Sequence, residues 1–539
     1  MKVLFLLHYP GYFRYFDSTV RLLAERGHHV ALAFDSLEKQ PEGAEALHGA
    51  TGTIEWLGEA PRRDDGWSAV ALAVRGTIDY VRYLHPLFAD SPYLRHRMRK
   101  ALPRVFEFLG KHETASEKTT SRLVRSFVAL ERALPSSPAI ERYLRTIGPD
   151  LLVISPLVMH GGPQADFIKS ARACAVPSAL CVASWDHLTT KGLMRVQPDL
   201  VAVWNDEQKR EAIEFHGAAP DRIVVTGAQP FDRWFSRAPS LDREQFCRKV
   251  GLRADRPFVL FVGSTASISA PRAEVDFVQR WVEAVRQGIR LTAGEVGMLV
   301  RPHPYNSAHW ADADLSGVEN VAVYPRHGAN PVNEQDRADY FDSLYHAAAV
   351  VGVNTSAMIE AAIVGRPVLS ILADEFTSTQ RGTLHFRYLL PENGGFLQVA
   401  ASLAEHVQQL EETLRAPERQ RERLRRFVGA FVRPLGLDRA GTTVLADALE
   451  RLVARGPVRA RRTPVSHLLL RGLLWTLRGQ FWAAATLDEY GTRADRLIRN
   501  TRKSLKIWRK QWVYYRRRRV AAARRFAGAR LRALKRLTR

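Results

Sequence analysis

The chain has 539 residues, 46% of them hydrophobic and 25% charged, which excludes a disordered, collagenous or disulfide-scaffold protein and leaves room for two or three globular domains. The formal charge of +23 is unevenly spread: residues 455–539 carry 25 Lys and Arg against three acids, so the tail holds +22 and the first 454 residues only +1. A basic module therefore follows a nearly neutral, enzyme-like body. Cys174, Cys181 and Cys247 are too few and too scattered for a disulfide framework or a zinc site, and their odd number fits a reducing compartment such as the cytoplasm.

The apolar run Val3–Leu7 is shorter than a signal-peptide core and is broken by His8 and Pro10, so it reads as a first strand. No stretch reaches the roughly 18 uninterrupted apolar residues that would span a bilayer. Lys2–Leu7, a loop and then DSTVRLLAERGHHVALAF predict strand, loop, helix and strand, the opening of a doubly wound α/β domain. Asp17 or Ser18 can cap that helix and Gly27 can end it. His8, Gly11 and Arg14 stand in the loop at the C-terminal end of the first strand, where open parallel sheets bind ligands, and are candidates for the acceptor side of a site. Residues 66–147 are helical in pattern and rich in Arg, Tyr, Leu and His; they read as a helical insertion whose stripes are explained by core packing or by an acceptor- or membrane-facing surface.

The sheet resumes at Asp150–Leu157, and Pro177–Gly192 is a buried strand that ends in a polar loop. Asp186, His187, Thr189, Thr190 and Lys191 bring a base, hydroxyls and a cation into that one turn, the composition of an active site. Pro198–Phe235 adds strand, helix capped by Asn205 or Asp206, and a strand into Thr226-Gly227. Charge and Pro after Asp232 mark a boundary, giving a first domain over 1–240. A second α/β unit, over 255–415, starts with PFVLFVGSTASISAP, where Gly263, Ser264 and Thr265 form a small-residue loop suited to phosphate.

After a helix over 273–287 comes a strand and then Arg301-Pro302-His303-Pro304. The two prolines hold this turn rigid, so that Arg301 can bind phosphate oxygens bidentately and His303 can donate to a pyrophosphate oxygen. Asp312-Ala313-Asp314 reads as solvated surface. The stretch AAVVGVNTSAMIEAAIVGRPVLSI, residues 348–371, spells strand, turn, helix and strand. Its Asn354, Thr355 and Ser356 open the helix, where free N–H groups favour an anion. Downstream, Gln380, Arg381 and Thr383 are placed to close over a nucleotide. Residues 416–454 read as closing helices.

Four short stretches carry a family resemblance. WDHLTTKG at 185–192 is similar to the WHGTxxKxxG signature of CDP-glycerol glycerophosphotransferases. RPHP at 301–304 resembles their His-Pro motif, and NTSAMIE at 354–360 resembles their YSSxxxD. VTGAQPFD at 225–232 looks like the VTGxxxxD of several sugar and polyol-phosphate transferases and capsule-assembly enzymes. Over about residues 1–450 the resemblance implies a GT-B type glycosyltransferase: two Rossmann-like doubly wound domains with one site between them, to which the residue pattern adds the helical insertion in the first and the basic helical tail. It places Asp186 on the family's base His with His187 directly after, leaving the base between these two. It puts Thr355 and Ser356 on the paired phosphate-binding serines, and Glu360 on the family Asp, one helical turn from Ser356.

In the tail, PVSHLLLRGLLWTLRGQFWAAATL is apolar but interrupted by Arg471 and Arg478, and beyond it Trp508, Trp512, Tyr514 and Tyr515 are embedded among Lys and Arg. Basic residues with interfacial aromatics suit an anionic membrane surface better than nucleic acid, which has no use for the apolar face at Leu473, Leu474 and Trp475. The expectation is a metal-independent transferase, without cofactor, peripheral at the inner face of the plasma membrane. It takes a sugar or polyol phosphate from a CDP, UDP or GDP conjugate to a lipid-linked or polymeric acceptor in envelope or capsule assembly. A nucleotide-sugar 2-epimerase of the same architecture and a non-catalytic membrane scaffold are the alternatives.

Overall fold

The computed structural model describes residues 1–37, 53–100, 102–289, 296–310, 313, 315, 317–331, 333–456, 464–481 and 483. Two parallel sheets form its frame. The first contains β1 (Lys2–Leu7), β2 (His29–Phe34), β3 (Ile54–Glu59), β4 (Leu151–Ser155), β5 (Ser178–Cys181), β6 (Leu200–Val203) and β7 (Ile223–Val225), in the order β3-β2-β1-β4-β5-β6-β7. The second contains β8 (Phe258–Val262), β9 (Gly297–Arg301), β10 (Val321–Val323), β11 (Ala349–Gly352), β12 (Val368–Ile371) and β13 (Gln398–Ala400), in the order β10-β9-β8-β11-β12-β13.

Strands such as LLVIS and FVLFV are apolar and buried along their whole length because helices cover both sheet faces. Sequence order reverses between β1 and β4, where Phe5 pairs with Val153, and between β8 and β11, where Phe261 pairs with Val351. Such reversals leave a crevice at the strand C-terminal ends.

The helical insertion is present as Ser68–Arg82, Pro92–Arg99, Glu117–Ala133 and Pro138–Ile147. Many of its Arg and Tyr side chains point inward: Arg75, Arg82, Tyr80 and Tyr83 are all under 5% exposed. Arg75 bonds Glu131 at 2.9 Å and Asp166 at 2.7 Å, while Lys169 reaches Glu131 at 2.8 Å and Arg63 reaches Asp166 at 3.0 Å. This buried ionic cluster fastens the insertion to the helix Gln164–Ala173 of the first sheet domain.

The two halves interleave around residue 240. The helix Arg243–Val250, opened by a capping box at Asp242, sends Phe246, Cys247 and Val250 into the core of the second sheet. Conversely, the helix Gly441–Ala454 returns to the first sheet and lays Leu445, Leu449 and Leu452 on it. Asp232, the acid of the VTGAQPFD stretch, accepts from the backbone N–H groups of Gly441 (3.1 Å) and Thr442 (2.6 Å) and from Arg433 (3.0 Å). It thus closes the N-terminus of that returning helix, a structural task. Asp17 and Ser18 do not cap their own helix: Asp17 pairs with Arg21 and Arg233, and Ser18 with Thr442. Asn205 caps as expected, accepting from Gln208 N at 2.9 Å. Asp312 and Asp314 lie outside the described residues, as do 457–463, 482 and 484–539 of the tail.

Candidate functional site

Where the two sheets face one another, loops from both enclose a cavity of about 230 Å³. Its second-domain wall begins with Arg301 at the end of β9. The guanidinium is only 5% exposed. Its Nη1 donates to Ser343 Oγ at 3.0 Å and to the Asp339 carbonyl at 3.5 Å, and its centre lies 5.2 Å from the Tyr340 ring. Nη2 has no partner in the protein, and no carboxylate forms an ion pair with this side chain among the described residues. Burial pulls its pKa down without neutralising it.

Two residues on, His303 Nδ1 accepts from the Tyr305 backbone N–H at 3.2 Å. The neutral ring therefore carries its proton on Nε2, where it can donate. Burial, reinforced by Arg14, lowers this imidazole to about 4, so it is neutral at physiological pH. Gly263, at the end of β8, donates to the Arg301 carbonyl at 2.9 Å, and a Cβ there would stand 2.8 Å from His303 N. A side chain at this position would push the β8 turn off the Arg301–His303 turn.

Thr355 and Ser356 follow β11 and line the same cavity. Thr355 Oγ1 accepts from Ala357 N at 3.4 Å, whereas Ser356 is exposed and makes no capping bond. Glu360, on the helix Ala357–Ile363, accepts from the Tyr340 hydroxyl; burial still raises its carboxyl to about 7. From the first domain, Arg14 crosses the cleft to Asn330 Oδ1 at 3.0 Å and also donates to the Tyr15 hydroxyl at 2.6 Å. Arg233, Arg237 and Arg337 bring the lining to five arginines, of which Arg233 pairs with Asp17 and Arg237 with Glu334, and Trp185, Trp204 and Trp234 add aromatic wall. A cationic, aromatic cleft matches an anion that carries a planar ring.

The polar loop after β5 is built differently. Asp186 accepts from Ser184 Oγ at 2.6 Å and Thr190 Oγ1 at 2.7 Å and lies 3.4 Å from Lys191 Nζ. Burial would raise its carboxyl, but Lys191 foremost, then His187 and His385, hold it well below the carboxylate range. His187 is 4% exposed, stacks on Tyr12 at 6.2 Å, and has an Nδ1 with no protein partner. Burial lowers it to about 4.

The insertion props this loop from beneath. Arg82 donates to the Lys191 carbonyl at 3.2 Å and the Gly192 carbonyl at 2.7 Å, and the Tyr83 hydroxyl donates to the Lys191 carbonyl at 2.6 Å. His8 Nδ1 sits 3.1 Å from Asp35 Oδ2, and Gly11 is buried in the turn Pro10–Tyr15.

Of the residues singled out from sequence, the cavity gathers Arg14, Gly263, Arg301 and His303 together with Thr355, Ser356 and Glu360. Asp186, His187 and Lys191 do not line it, although their neighbours Ser184 and Trp185 do, and His8 and Gly11 also lie off the lining. Three residues expected on the donor are turned into the core, where their polar atoms bind backbone. Ser264 Oγ donates to the Asn354 carbonyl at 3.3 Å, Asn354 Nδ2 to the Thr379 carbonyl at 2.5 Å, and Gln380 Nε2 to the Val353 and Ile371 carbonyls at 3.1 and 3.0 Å. They wire the β8, β11 and β12 ends together. Thr265 pairs with Ser267 at 2.9 Å away from the cavity, and Arg381 is exposed outside it. Thr383 is likewise buried, donating to the Gln380 carbonyl at 2.9 Å. Sequence reading missed Tyr340, Tyr305 and Trp234, which have no local motif and reach the cleft only through tertiary packing; Trp234 meets Tyr340 edge-on at 5.6 Å.

The sequence matches no family model and no curated protein. Solved structures do resemble it. A candidate UDP-N-acetylglucosamine 2-epimerase from Listeria monocytogenes shares 12% identity at a TM-score of 0.50, covering 86% of this chain and 99% of that one. The UDP-GlcNAc 2-epimerase of Neisseria meningitidis, bound to UDP-GlcNAc, gives 11% and 0.48, covering 84% and 100%. A glycosyltransferase from Rickettsia africae ESF-5 gives 10% and 0.47, covering 84% and 99%. At such identities the likeness speaks to the fold, which is GT-B: two Rossmann-like domains of parallel sheet with a cleft between them.

Proposed function

We propose that this protein is a transferase that moves a sugar or polyol phosphate from a nucleotide-activated donor to a lipid-linked or polymeric acceptor, as in envelope or capsule assembly. The observation that carries the donor half is Arg301, a buried cation at the cleft with an unpaired Nη2 and no carboxylate partner. Leaving such a group unmatched is costly, and a diphosphate supplies the missing charge and acceptors. Arg14 approaches from the opposite domain, so the two arginines would meet the charge that develops on the departing nucleotide without calling on a metal or other cofactor. His303 would donate from Nε2 to a diphosphate oxygen. The Thr355 and Ser356 hydroxyls would hold further oxygens, and Glu360 the ribose or the transferred group.

The acceptor hydroxyl attacks the transferred centre as its bond to the nucleotide phosphate oxygen breaks, and its proton goes to a base at the β5 loop. Asp186 is engaged through both oxygens by Ser184 and Thr190, and His187 has an unpartnered but buried Nδ1, so the base is one of these two residues of the loop. The basic tail would hold the enzyme at the inner, anionic face of the plasma membrane.

Thermal-shift screening with CDP, UDP, GDP and their conjugates tests the donor reading, because a ligand bound only by the folded state raises its melting temperature. His303→Ala and Ser356→Ala are each expected to remove transfer with the unliganded melting temperature unchanged; full transfer by both variants would sink the assignment. Product analysis separates the second reading, favoured by the fold shared with the Listeria protein: an epimerised free nucleotide sugar in place of a conjugated acceptor would replace transfer by 2-epimerisation.

A further inference from the structure

Beyond residue 456 the chain is described again as a helix over 465–481, and this helix is seated on the insertion. Leu474, Leu477 and Phe481, spaced by three and four residues, enter the insertion's core cluster. Trp475 meets Trp67 at 5.2 Å, Phe481 meets Phe106 at 6.1 Å, and Arg471 Nε donates to the Ala133 carbonyl at 3.0 Å. One side of the helix is thus accounted for.

The opposite side is apolar as well. Val465, Leu468, Leu469 and Leu473 recur at three-, one- and four-residue steps and are 72%, 49%, 73% and 54% exposed. On the insertion itself Leu72 and Phe108 stand 58% and 59% exposed. Of the twelve large apolar side chains exposed among the described residues, eight belong to this helix or to the insertion, so the exposure is concentrated in one structural unit. Exposed apolar side chains concentrated on one unit in this way mark an interaction site. No helix among the described residues is long and apolar enough to cross a membrane, so this helix lies on a surface if it meets lipid.

The charge of the chain says which partner fits. Residues 484–539, directly after the helix, contain 19 Lys and Arg against three acids. Arg478 folds its guanidinium 3.4 Å over the exposed Trp475, an aromatic-cation pair suited to a headgroup layer. We infer that the outward stripe of helix 465–481, together with the insertion beneath it, is a docking face for an anionic lipid bilayer: the leucines enter the acyl boundary, and the basic composition of the sequence that follows favours an anionic surface. Nucleic acid would satisfy the charges but not the leucines.

The placement also links docking to chemistry. Leu72 lies on the helix Ser68–Arg82, whose far end holds the 186–192 loop through Arg82, and Leu72 Cδ1 is 3.6 Å from where a Cβ on Gly161 would stand. The bilayer would therefore meet the half of the cleft assigned to the acceptor. This rests on the membrane placement proposed above and gives it a surface; it does not depend on the donor assignment, which is read separately.

The test uses the full chain and co-sedimentation with phosphatidylcholine vesicles, with and without phosphatidylglycerol. Wild type should bind the phosphatidylglycerol vesicles and weaken at high salt. The triple variant Leu468→Glu, Leu469→Glu, Leu473→Glu should bind them at least about tenfold more weakly, since three inserted side chains are lost and three like charges gained, with nucleotide-induced thermal shifts unchanged. Leu468→Gln, Leu469→Gln, Leu473→Gln serves as the milder variant if the first melts early. Vesicle binding retained by both variants, or wild-type chain that captures single-stranded RNA but no vesicles, would overturn the proposal.

Discussion

Two arginines, Arg75 in the insertion and Arg301 at the cleft, are almost equally buried, at 3% and 5% exposure, yet their surroundings are opposite. Arg75 is met by Glu131 and Asp166 through four bonds of 2.7 to 3.1 Å. Arg301 is met by a serine hydroxyl, a backbone carbonyl and a tyrosine ring. In the first case the folded chain has already matched the charge it buried; in the second it has not, and a ligand is the natural partner. Burial alone does not tell a structural cation from a binding one, but the ionic partner does.

Removing each arginine is the most direct way to break that contrast. Arg75→Met leaves Glu131 and Asp166 facing each other in the core with only Lys169 and Arg63 to hold them, and is expected to destabilise the protein by about 3–5 kcal/mol. Chemical denaturation followed by insertion-domain fluorescence reads this; an unchanged midpoint would show that the cluster is dispensable. Arg301→Met should instead leave the unliganded midpoint where it is or raise it, because an unmatched buried cation is deleted. It should weaken the best nucleotide donor by on the order of 100-fold, the loss of one charge-assisted contact worth about 3 kcal/mol. If both variants lose stability alike and bind donor alike, the contrast is empty.

How much of this was legible in the sequence follows the same division. The sheets were, since strands buried on both faces in VLFLL, LLVIS and FVLFV write their own pattern, and a strand followed at once by Arg301-Pro302-His303 announces a fixed turn. Ser264, Asn354 and Gln380 resemble binding residues in sequence because the residue types that bind ligands also satisfy backbone at strand ends; only the fold shows that their bonds are spent on the carbonyls of Asn354, Thr379, and Val353 and Ile371 respectively. Conversely, Tyr340 and Trp234 come to the cavity from two helices, Glu334–Tyr345 and Asp232–Ser236, that carry no local sign of it.

In the loop after β5 an acid and a cation also pair, though at 3.4 Å, and Lys191→Met sharpens the comparison by removing one member. Asp186 is held low chiefly by Lys191, so its folded pKa is depressed; the stability it contributes is present above its unfolded value and lost as pH falls through the folded one. Without Lys191 that loss begins at a higher pH. The acid-unfolding midpoint should therefore move up in pH by a modest amount, both groups being about one-fifth exposed, while donor binding stays constant. A midpoint that does not move would mean Ser184 and Thr190 alone hold the carboxylate.

Glu360 runs in the opposite sense and gives the smallest effect. Burial raises its carboxyl from 4.5 to about 7 in the folded protein, although the Tyr340 hydroxyl and Arg14 pull the other way. Between those two values the folded state keeps a proton that the unfolded chain has released, so this group's contribution is complete below about pH 4.5 and is lost as pH rises through about 7. The unliganded melting temperature should accordingly decline across that window, and Glu360→Gln, which keeps the shape and cannot ionise, should flatten the decline. Because Glu360 is partly open to the cavity, solvent reduces the amplitude below what a fully enclosed carboxyl would show. A slope as steep in Glu360→Gln as in wild type would move the titrating group elsewhere, to Glu274, which is fully enclosed against Ser264 and raised by burial to the same value of about 7.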